Sequence, residues 1–130
     1  MKFETFIIGK YIDLVLLDEK VVKKTDWYTW LNYSENTEIL SVGKFPNTLK
    51  KQLLYVRNQL AEKKNILKFD ELENKLQLGV VEKKNNTLVG MVAAYDFNYF
   101  NRTCNVAVIT DLRKKNINRL LVFKESQDLL

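Results

Sequence analysis

The spacing of apolar residues in the first part of the chain predicts one strand and one short helix. Between Tyr11 and Leu17, apolar residues at positions 12, 14 and 16 recur with a period of two, which is typical of a β-strand with a buried face. Asp26 then precedes the aromatic segment 27–31, whose apolar residues follow helical spacing. Because an aspartate side chain accepts hydrogen bonds from the free N–H groups at a helix start, we expect a helix to begin after Asp26.

The clearest helical pattern lies between Leu49 and Glu62. Apolar residues occur there at spacings of four, three and four, which places them on one face of a helix. These residues are Leu49, Leu53, Val56 and Leu60. The preceding segment 43–48 contains the single proline of the chain and predicts a loop, from which Asn47 or Thr48 is suited to cap the helix.

Segments 76–82 and 87–95 predict a β-hairpin. The turn between them, 83–86, contains Asn85 and Asn86, which tolerate positive backbone φ angles better than most residues. The second strand of the hairpin is apolar on both faces. This pattern predicts a central strand that is covered on both sides.

A third strand and a helix complete the predicted elements. Residues 98–102 form a turn before the strand 103–109, in which Cys104 is expected to be a buried core thiol. From about Ile117 to the end, apolar residues predict a helix but form no clean stripe. The last two residues, Leu129-Leu130, are an apolar pair, which predicts that a partner or further chain covers this end.

In order, these elements predict an α/β protein with a mixed, mainly antiparallel sheet flanked by helices. The 130 residues are the length of one domain, so we expect a single domain over 1–130. Hydrophobic residues make up 46% of the chain and charged residues 28%, which supplies enough apolar side chain for a packed core.

The composition excludes several kinds of site. The chain has no histidine, so a Ser-His or Cys-His pair and a histidine zinc site are impossible. One cysteine can form neither an intramolecular disulfide nor a thiolate cage, and we expect no bound metal. The apolar runs are too short to cross a bilayer and no secretory signal is found, which predicts a cytoplasmic protein without membrane association.

The charge of the chain leaves two kinds of anionic partner open. The net charge is +5, and most lysines occur in pairs that mark the ends of predicted elements. A nucleic-acid-binding module is the less favoured interpretation, because no long basic run or recognition motif occurs; it predicts steeply salt-dependent association. A basic surface also suits an anionic cofactor such as coenzyme A.

The junction between the third strand and the last helix is the segment best suited to bind phosphate. A strand that leads into a helix exposes unpaired backbone N–H groups and the positive end of the helix dipole. Arg113, Lys114 and Lys115 add positive charge at this point. Asn116 and Asn118 have permissive backbones, which allow the chain to bend toward a ligand.

This junction resembles the cofactor loop of the GNAT acetyltransferases, in which a Gln/Arg-x-x-Gly-x-Gly/Ala motif follows a strand that ends in valine. Val108 matches the strand-end valine and Arg113 the leading Gln/Arg. Asn116 and Asn118 occupy the two small-residue positions, so the loop glycines are absent. The resemblance implies that this loop binds the pyrophosphate of acetyl-CoA. The implied cofactor-binding residues are Val108, Arg113, Lys114, Lys115, Asn116, Ile117 and Asn118.

The resemblance covers roughly Ile12 to Leu130. Within the family, the chain is similar to GNAT enzymes that acetylate amino sugars on nucleotide carriers. It is carried by the opening strand, the Trp-rich helix, the loop 45–48, the strand 88–90 and the pair Asn101-Arg102. It implies that Trp27, Trp30 and Phe45 bind substrate, although aromatic residues at helical spacing equally suit a hydrophobic core. GNAT proteins continue beyond the cofactor helix, so the resemblance implies that the usual C-terminal strands and helix are lacking.

Two functions follow from the resemblance. The first is an acetyl-CoA-dependent N-acetyltransferase that acts on a primary amine of a small molecule, such as a nucleotide-linked amino sugar. A carboxylate or an ordered water would take the amine proton, and the spacing selects none among Glu35, Glu38 and Asp96. The second is a non-catalytic GNAT-like protein that binds a partner or forms a homo-oligomer through an open sheet edge.

Overall fold

The computed structural model describes residues 1–33, 36, 46–60, 75–114 and 117–130. Its centre is a five-stranded sheet in which the strands follow chain order and each neighbouring pair is antiparallel. The strands are β1 Thr5–Ile8, β2 Ile12–Leu16, β3 Lys75–Glu82, β4 Thr87–Asn98 and β5 Thr103–Thr110. The helices in these ranges are α1 Glu19–Lys24, a 3-10 helix Trp27–Asn32, α2 Leu49–Leu60 and α3 Arg119–Leu129. None of these helices is long and apolar enough to cross a membrane.

Helices pack against both faces of the sheet, so two hydrophobic clusters form. Alternate residues of a strand point to opposite faces, and β2 shows this directly. Val15 packs in one cluster with Trp30 of the 3-10 helix and Val56 of α2. Leu14 packs in the other cluster with Val122 of α3. The predicted α/β fold class is confirmed, and β4 lies between β3 and β5, as expected of an interior strand, although its last residues are largely exposed.

The sequence patterns missed β1 and α1. β1 is an edge strand, and its Phe6 and Ile8 are exposed, so no buried face marks it in the sequence. α1 has only six residues, which is too short for a periodic apolar pattern. Its start is defined by Asp18, whose side chain accepts a hydrogen bond from the backbone N–H of Val21 at 2.9 Å.

α2 begins where predicted, but its buried face differs from the predicted stripe. The Oγ1 of Thr48 accepts a hydrogen bond from the backbone N–H of Lys51 at 3.2 Å, which is one of the two expected caps. Val56 is buried as expected, whereas Leu49 is exposed. Gln52, a polar residue, is buried on the inner face of the helix. Leu53 also packs against the core, so the predicted stripe is confirmed at Leu53 and Val56 and wrong at Leu49.

Two further sequence expectations concern the end of the chain. Cys104 is exposed, so the prediction of a buried core thiol is wrong. The first half of β5 is exposed, and an apolar run in the sequence does not show how far helices cover a strand. α3 buries Val122 and Ser126 but exposes Leu120 and Phe123, which explains why no clean stripe was visible.

Candidate functional site

A cavity of about 320 Å³ lies between the 3-10 helix, α2 and the sheet. The strands β3, β4 and β5 contribute Gln77, Met91 and Ile109 to its wall. Its lining in the described part of the chain is Trp27, Trp30, Asn36, Asn47, Gln52, Tyr55, Lys75, Gln77, Met91 and Ile109. Cavities of this size with a largely apolar wall and a few polar groups hold small molecules.

Trp27 and Trp30 form the aromatic part of the cavity wall. Their side chains belong to the core and are 6% and 2% exposed. The indole Nε1 of Trp30 donates a hydrogen bond to Oδ1 of Asp26 at 3.1 Å, which fixes the orientation of the ring. The two residues are thus core residues that also face the cavity, and their role in substrate binding stays a prediction.

Hydrogen bonds among the polar lining residues connect α2 with β3 and with the segment before α2. The Nδ2 of Asn47 donates to Oε1 of Gln52 at 2.8 Å and to a backbone carbonyl oxygen of the 3-10 helix at 2.9 Å. The hydroxyl of Tyr55 donates to Oε1 of Gln77 at 2.7 Å and accepts from Nζ of Lys75 at 2.9 Å. The polar side of the cavity is therefore held in a defined geometry.

Asp111 follows β5 directly, and its side chain is fully buried. Its Oδ1 accepts hydrogen bonds from the backbone N–H of Arg113 at 3.2 Å, from Nε of Arg113 at 3.1 Å and from Nδ2 of Asn36 at 2.9 Å. The Oδ1 of Asn36 accepts in turn from the backbone N–H of Leu112 at 2.9 Å. A buried carboxylate is costly unless it is paired and hydrogen-bonded, and these contacts meet that requirement.

The two described cations of the junction are paired within the chain. The Nζ of Lys114 lies 2.7 Å from Oδ2 of Asp26 and 3.6 Å from Oδ2 of Asp111. The guanidinium of Arg113 donates to Oγ1 of Thr29 at 2.8 Å in addition to its contacts with Asp111. The junction is therefore attached to the 3-10 helix, and two carboxylates balance the charge of the two cations.

This network shifts the pKa values of both partners of the central ion pair. Burial by itself raises the pKa of Asp111, but the hydrogen bonds from Arg113 and Asn36 outweigh it, and the pKa lies below its ordinary value. The hydrogen bond to Asp111 raises the pKa of Arg113. The folded chain therefore favours the charged forms of both side chains.

The lowered pKa of Asp111 predicts a pH-dependent contribution to stability. The pair stabilises the fold above the pKa of an unfolded aspartate, and this contribution is lost as the pH falls through the lower folded-state pKa. We expect the difference in unfolding free energy between the chain and its Asp111→Asn variant to be level at neutral pH and to shrink below about pH 4. Urea unfolding at several pH values measures it, with Asp128→Asn, at an exposed aspartate of α3, as the charge control. A difference that does not change with pH would contradict the assignment.

α3 begins after Asn118, whose side chain caps the helix. The Oδ1 of Asn118 accepts a hydrogen bond from the backbone N–H of Leu121 at 3.2 Å. One of the backbone N–H groups at the helix start is therefore already hydrogen-bonded within the chain. The Nη2 of Arg119 donates to the carbonyl oxygens of Leu112 and Lys114 at 2.9 Å each. The Nε of Arg119 is buried and has no hydrogen-bond partner in the ranges that the structure describes.

The structure places the predicted cofactor-binding residues in several environments. Val108 and Ile117 are partly buried and pack against the core on the α3 side of the sheet. Asn118 is the cap of α3. Lys115 and Asn116 lie outside the described residues. The role of the whole set in cofactor binding stays a prediction.

The candidate bases and Phe45 are not part of the described cavity wall. Phe45, Glu35 and Glu38 lie outside the described residues. Asp96 lies on β4 with a φ of 52°, and its Oδ2 accepts a hydrogen bond from Nδ2 of Asn105 at 3.3 Å. It does not belong to the described cavity lining.

Sequence reasoning missed the polar lining of the cavity and the role of Asp111. Gln52 occupies the inner face of α2 between Leu49 and Val56, and a single polar residue on an apolar helix face was the available signal. For Asp111 the signal was a carboxylate directly after a strand with a largely apolar sequence. Neither signal identifies the distant residues that these side chains contact.

No known protein family and no curated protein matches this sequence. Solved structures are nevertheless similar. A probable acetyltransferase has a TM-score of 0.63 at 14% identity, over 95% of this chain and 69% of that chain. The microcin C7 self-immunity acetyltransferase MccE, solved with acetyl-CoA and AMP, has a TM-score of 0.63 at 15% identity. The match covers 89% of this chain and 59% of MccE. A candidate ribosomal-protein-serine acetyltransferase from Vibrio cholerae has a TM-score of 0.60 at 16% identity. The match covers 98% of this chain and 64% of that protein.

This chain has the GNAT fold. The predicted fold is therefore confirmed, and at these low identities the likeness concerns the fold alone. The chain spans less than two thirds of the length of two of these three acetyltransferases. Within the GNAT fold, the cavity lies beside the strand that leads into the junction, because Ile109 of β5 belongs to its lining.

Proposed function

We propose that this chain acts as an acetyl-CoA-dependent N-acetyltransferase that transfers an acetyl group to a primary amine. The observation that carries the proposal is the position of the cavity: its wall includes Ile109, two residues before Asp111 of the junction. A pocket for an acceptor and a segment suited to bind an anion thus lie at the same end of β5, as acetyl transfer between two bound molecules requires. The fold likeness supports the proposal, since one similar protein was solved with acetyl-CoA.

Two features of the structure fit acetyl-CoA. β5 pairs with β4 on one side only, so in the described residues its other edge offers backbone N–H and C=O groups to the amides of a pantetheine arm. The first turn of α3 offers the amides of Arg119 and Leu120 as phosphate ligands, because the first amides of a helix lack partners within it. Val108, Ile117 and the backbone of Asn118 would then hold the cofactor, which supplies the activated acetyl thioester.

The cations of the junction favour a second candidate function. Arg113 and Lys114 are balanced by Asp26 and Asp111, which leaves them less available to an anionic ligand. A non-catalytic GNAT-like protein would not need them, and its open β5 edge would pair with a second copy or another partner. The exposed aromatic ring of Phe100, in the turn before β5, would add apolar contact area to such a pairing. This candidate predicts a dimer without affinity for acetyl-CoA.

A nucleotide-linked amino sugar is the acceptor that we propose within this function. Aromatic faces such as those of Trp27 and Trp30 pack on the C–H groups of a sugar ring, and side-chain amides form hydrogen bonds with its hydroxyls. The attacking amine must be neutral, so a base has to take its proton. Glu35 and Glu38 are the proposed bases, because in sequence they flank Asn36, which belongs to the cavity lining.

Isothermal titration of acetyl-CoA into the chain tests the proposed function. We expect binding, and we expect the Asn118→Gly variant to bind about threefold to tenfold more tightly, because removal of the cap frees the amide of Leu121 for phosphate. Loss of an asparagine cap to glycine costs only a few tenths of a kcal/mol, roughly, so the fold should persist. Asn101→Gly, in the exposed turn between β4 and β5, is the matched control and should leave affinity unchanged.

The results separate the two candidate functions. Binding, followed by release of free coenzyme A when primary amines are added, supports the acetyltransferase. If neither the chain nor Asn118→Gly binds acetyl-CoA at millimolar concentration, the acetyltransferase proposal fails for this chain. A concentration-dependent dimer in sedimentation experiments would then support the non-catalytic protein.

A further inference from the structure

The cavity offers a ligand more hydrogen-bond donors than acceptors, because internal contacts already use the acceptors of its glutamines. The Nδ2 of Asn47 donates to the backbone oxygen of Tyr28, which fixes that amide, and its second hydrogen then requires Oε1 of Gln52 as acceptor. The Oε1 of Gln77 is likewise occupied by the hydroxyl of Tyr55. What remains of each glutamine for a ligand is its NH₂ group.

The position of Gln52 makes its free NH₂ group significant. The residue is only 7% exposed and lines the cavity, and no hydrogen bond from its Nε2 is found in the described part of the chain. Nε2 is not one of the fully buried atoms without a partner in the described chain, so it is open to the cavity, where an oxygen atom of a ligand can accept its hydrogen bond. Tyr55 is three residues further along α2, so it lies on the same helix face.

Lys75 gives this group of donors a positive charge. Its Nζ contacts the hydroxyl of Tyr55 and lies 5.5 Å from the centre of that ring, while its other hydrogens remain for a ligand. The described lining contains no carboxylate, so nothing in that part of the wall balances this charge or suits a polycation. An anionic oxygen group is the chemistry that complements two NH₂ groups and one ammonium group.

We propose that the cavity binds its acceptor through an anionic oxygen group, phosphoryl or carboxylate, held by Gln52, Gln77 and Lys75, with the rest of the molecule against the two tryptophans. The inference rests on the proposed function in one respect: the ligand is called an acceptor because we propose that the chain transfers an acetyl group to it. It assigns selectivity to this site: amines that also carry an anionic group bind, and polyamines do not.

Tryptophan fluorescence measures this selectivity directly, because the two tryptophans of the chain both line the cavity. The probes are phenyl phosphate, phenylacetate and benzylammonium, which share one ring and differ in their charged group; no acetyl-CoA is added. We expect both anions to bind at least about tenfold more tightly than benzylammonium. The tighter of the two anions then identifies a phosphoryl or a carboxylate source.

The Gln52→Glu variant tests whether the NH₂ group of Gln52 recognises the anion, while it keeps the hydrogen bond to Asn47. A carboxylate still accepts the hydrogen bond of Asn47 but presents oxygen instead of NH₂ to the cavity, so we expect anion affinity to fall about tenfold and benzylammonium affinity to rise. Lys84→Gln, at an exposed lysine of the β3–β4 turn, removes one positive charge outside the cavity lining and should change neither. Equal or tighter binding of benzylammonium by the unmodified chain, no response to any probe, or unchanged selectivity in Gln52→Glu would each overturn the inference. None of these outcomes depends on whether acetyl-CoA binds.

Discussion

Replacement of Asp111 by alanine is expected to lower the free energy of unfolding by about 3 kcal/mol. The carboxylate is fully buried and accepts hydrogen bonds from Arg113 and Asn36, so its removal leaves several donors without an acceptor. Removal of one partner from a buried ion pair costs about 3–5 kcal/mol. The value expected here lies at the lower end, because the side chain of Arg113 is 35% exposed and keeps contact with water.

Urea unfolding monitored by circular dichroism measures this effect. Asp111→Asn keeps the shape of the side chain and one acceptor oxygen, so it should cost less than the alanine variant. Asp128→Ala, on the exposed side of α3, should change the free energy of unfolding by less than about 0.5 kcal/mol. If Asp111→Ala were no more destabilising than Asp128→Ala, the network would not contribute to the stability of the fold.

Trp30→Ala is expected to destabilise the fold by about 3–5 kcal/mol. The side chain is 2% exposed and packs with Val15 and Val56 in the core cluster, so truncation leaves a large void. The variant also removes the hydrogen bond to Asp26. Part of the void is continuous with the existing cavity, which would therefore become larger.

Two further variants test the assignment of Trp30. Trp30→Phe keeps an aromatic ring but loses the N–H donor, so it should cost clearly less than alanine. Phe100→Ala removes an aromatic ring that is 93% exposed, and the expected cost is within about 0.5 kcal/mol. A Trp30→Ala cost as small as that of Phe100→Ala would show that the tryptophan does not pack in the core.

Asp26 connects the cavity wall with the junction. Its Oδ1 accepts from Trp30, which lines the cavity, and its Oδ2 pairs with Lys114 of the junction. Arg113 makes a second connection through Thr29 of the 3-10 helix. The wall of the cavity and the junction are therefore held in a fixed relation to each other.

The strands with regular patterns were predictable, and the irregular elements were not. β3, β4 and β5 were predicted within three residues of their observed ends, because alternation and continuous apolar runs are local properties of the sequence. Of the two turn asparagines, Asn86 has a positive φ of 49°, as expected of a tight hairpin turn. β1 has exposed apolar residues, and α1 is short, so neither carries a pattern that sequence alone reveals.

The candidate site was predictable only in part. Trp27 and Trp30 were identified as aromatic residues at helical spacing, and the structure places both on the cavity wall. Gln52 and Gln77 were missed, because a glutamine in a sequence does not show whether its amide faces water or a buried cavity. Their significance comes from the hydrogen bonds that occupy their oxygens.

The sequence by itself determined the fold class and the absence of histidine and of a second cysteine, because periodicity and composition do not depend on distant contacts. It also located the junction after β5. Only the tertiary structure decided that Lys114 pairs with Asp26, 88 residues away, and that Asp111 is buried against Arg113 and Asn36. Packing selects the partners of charged side chains among groups far apart in the chain, and it therefore also decides which charges stay available to a ligand.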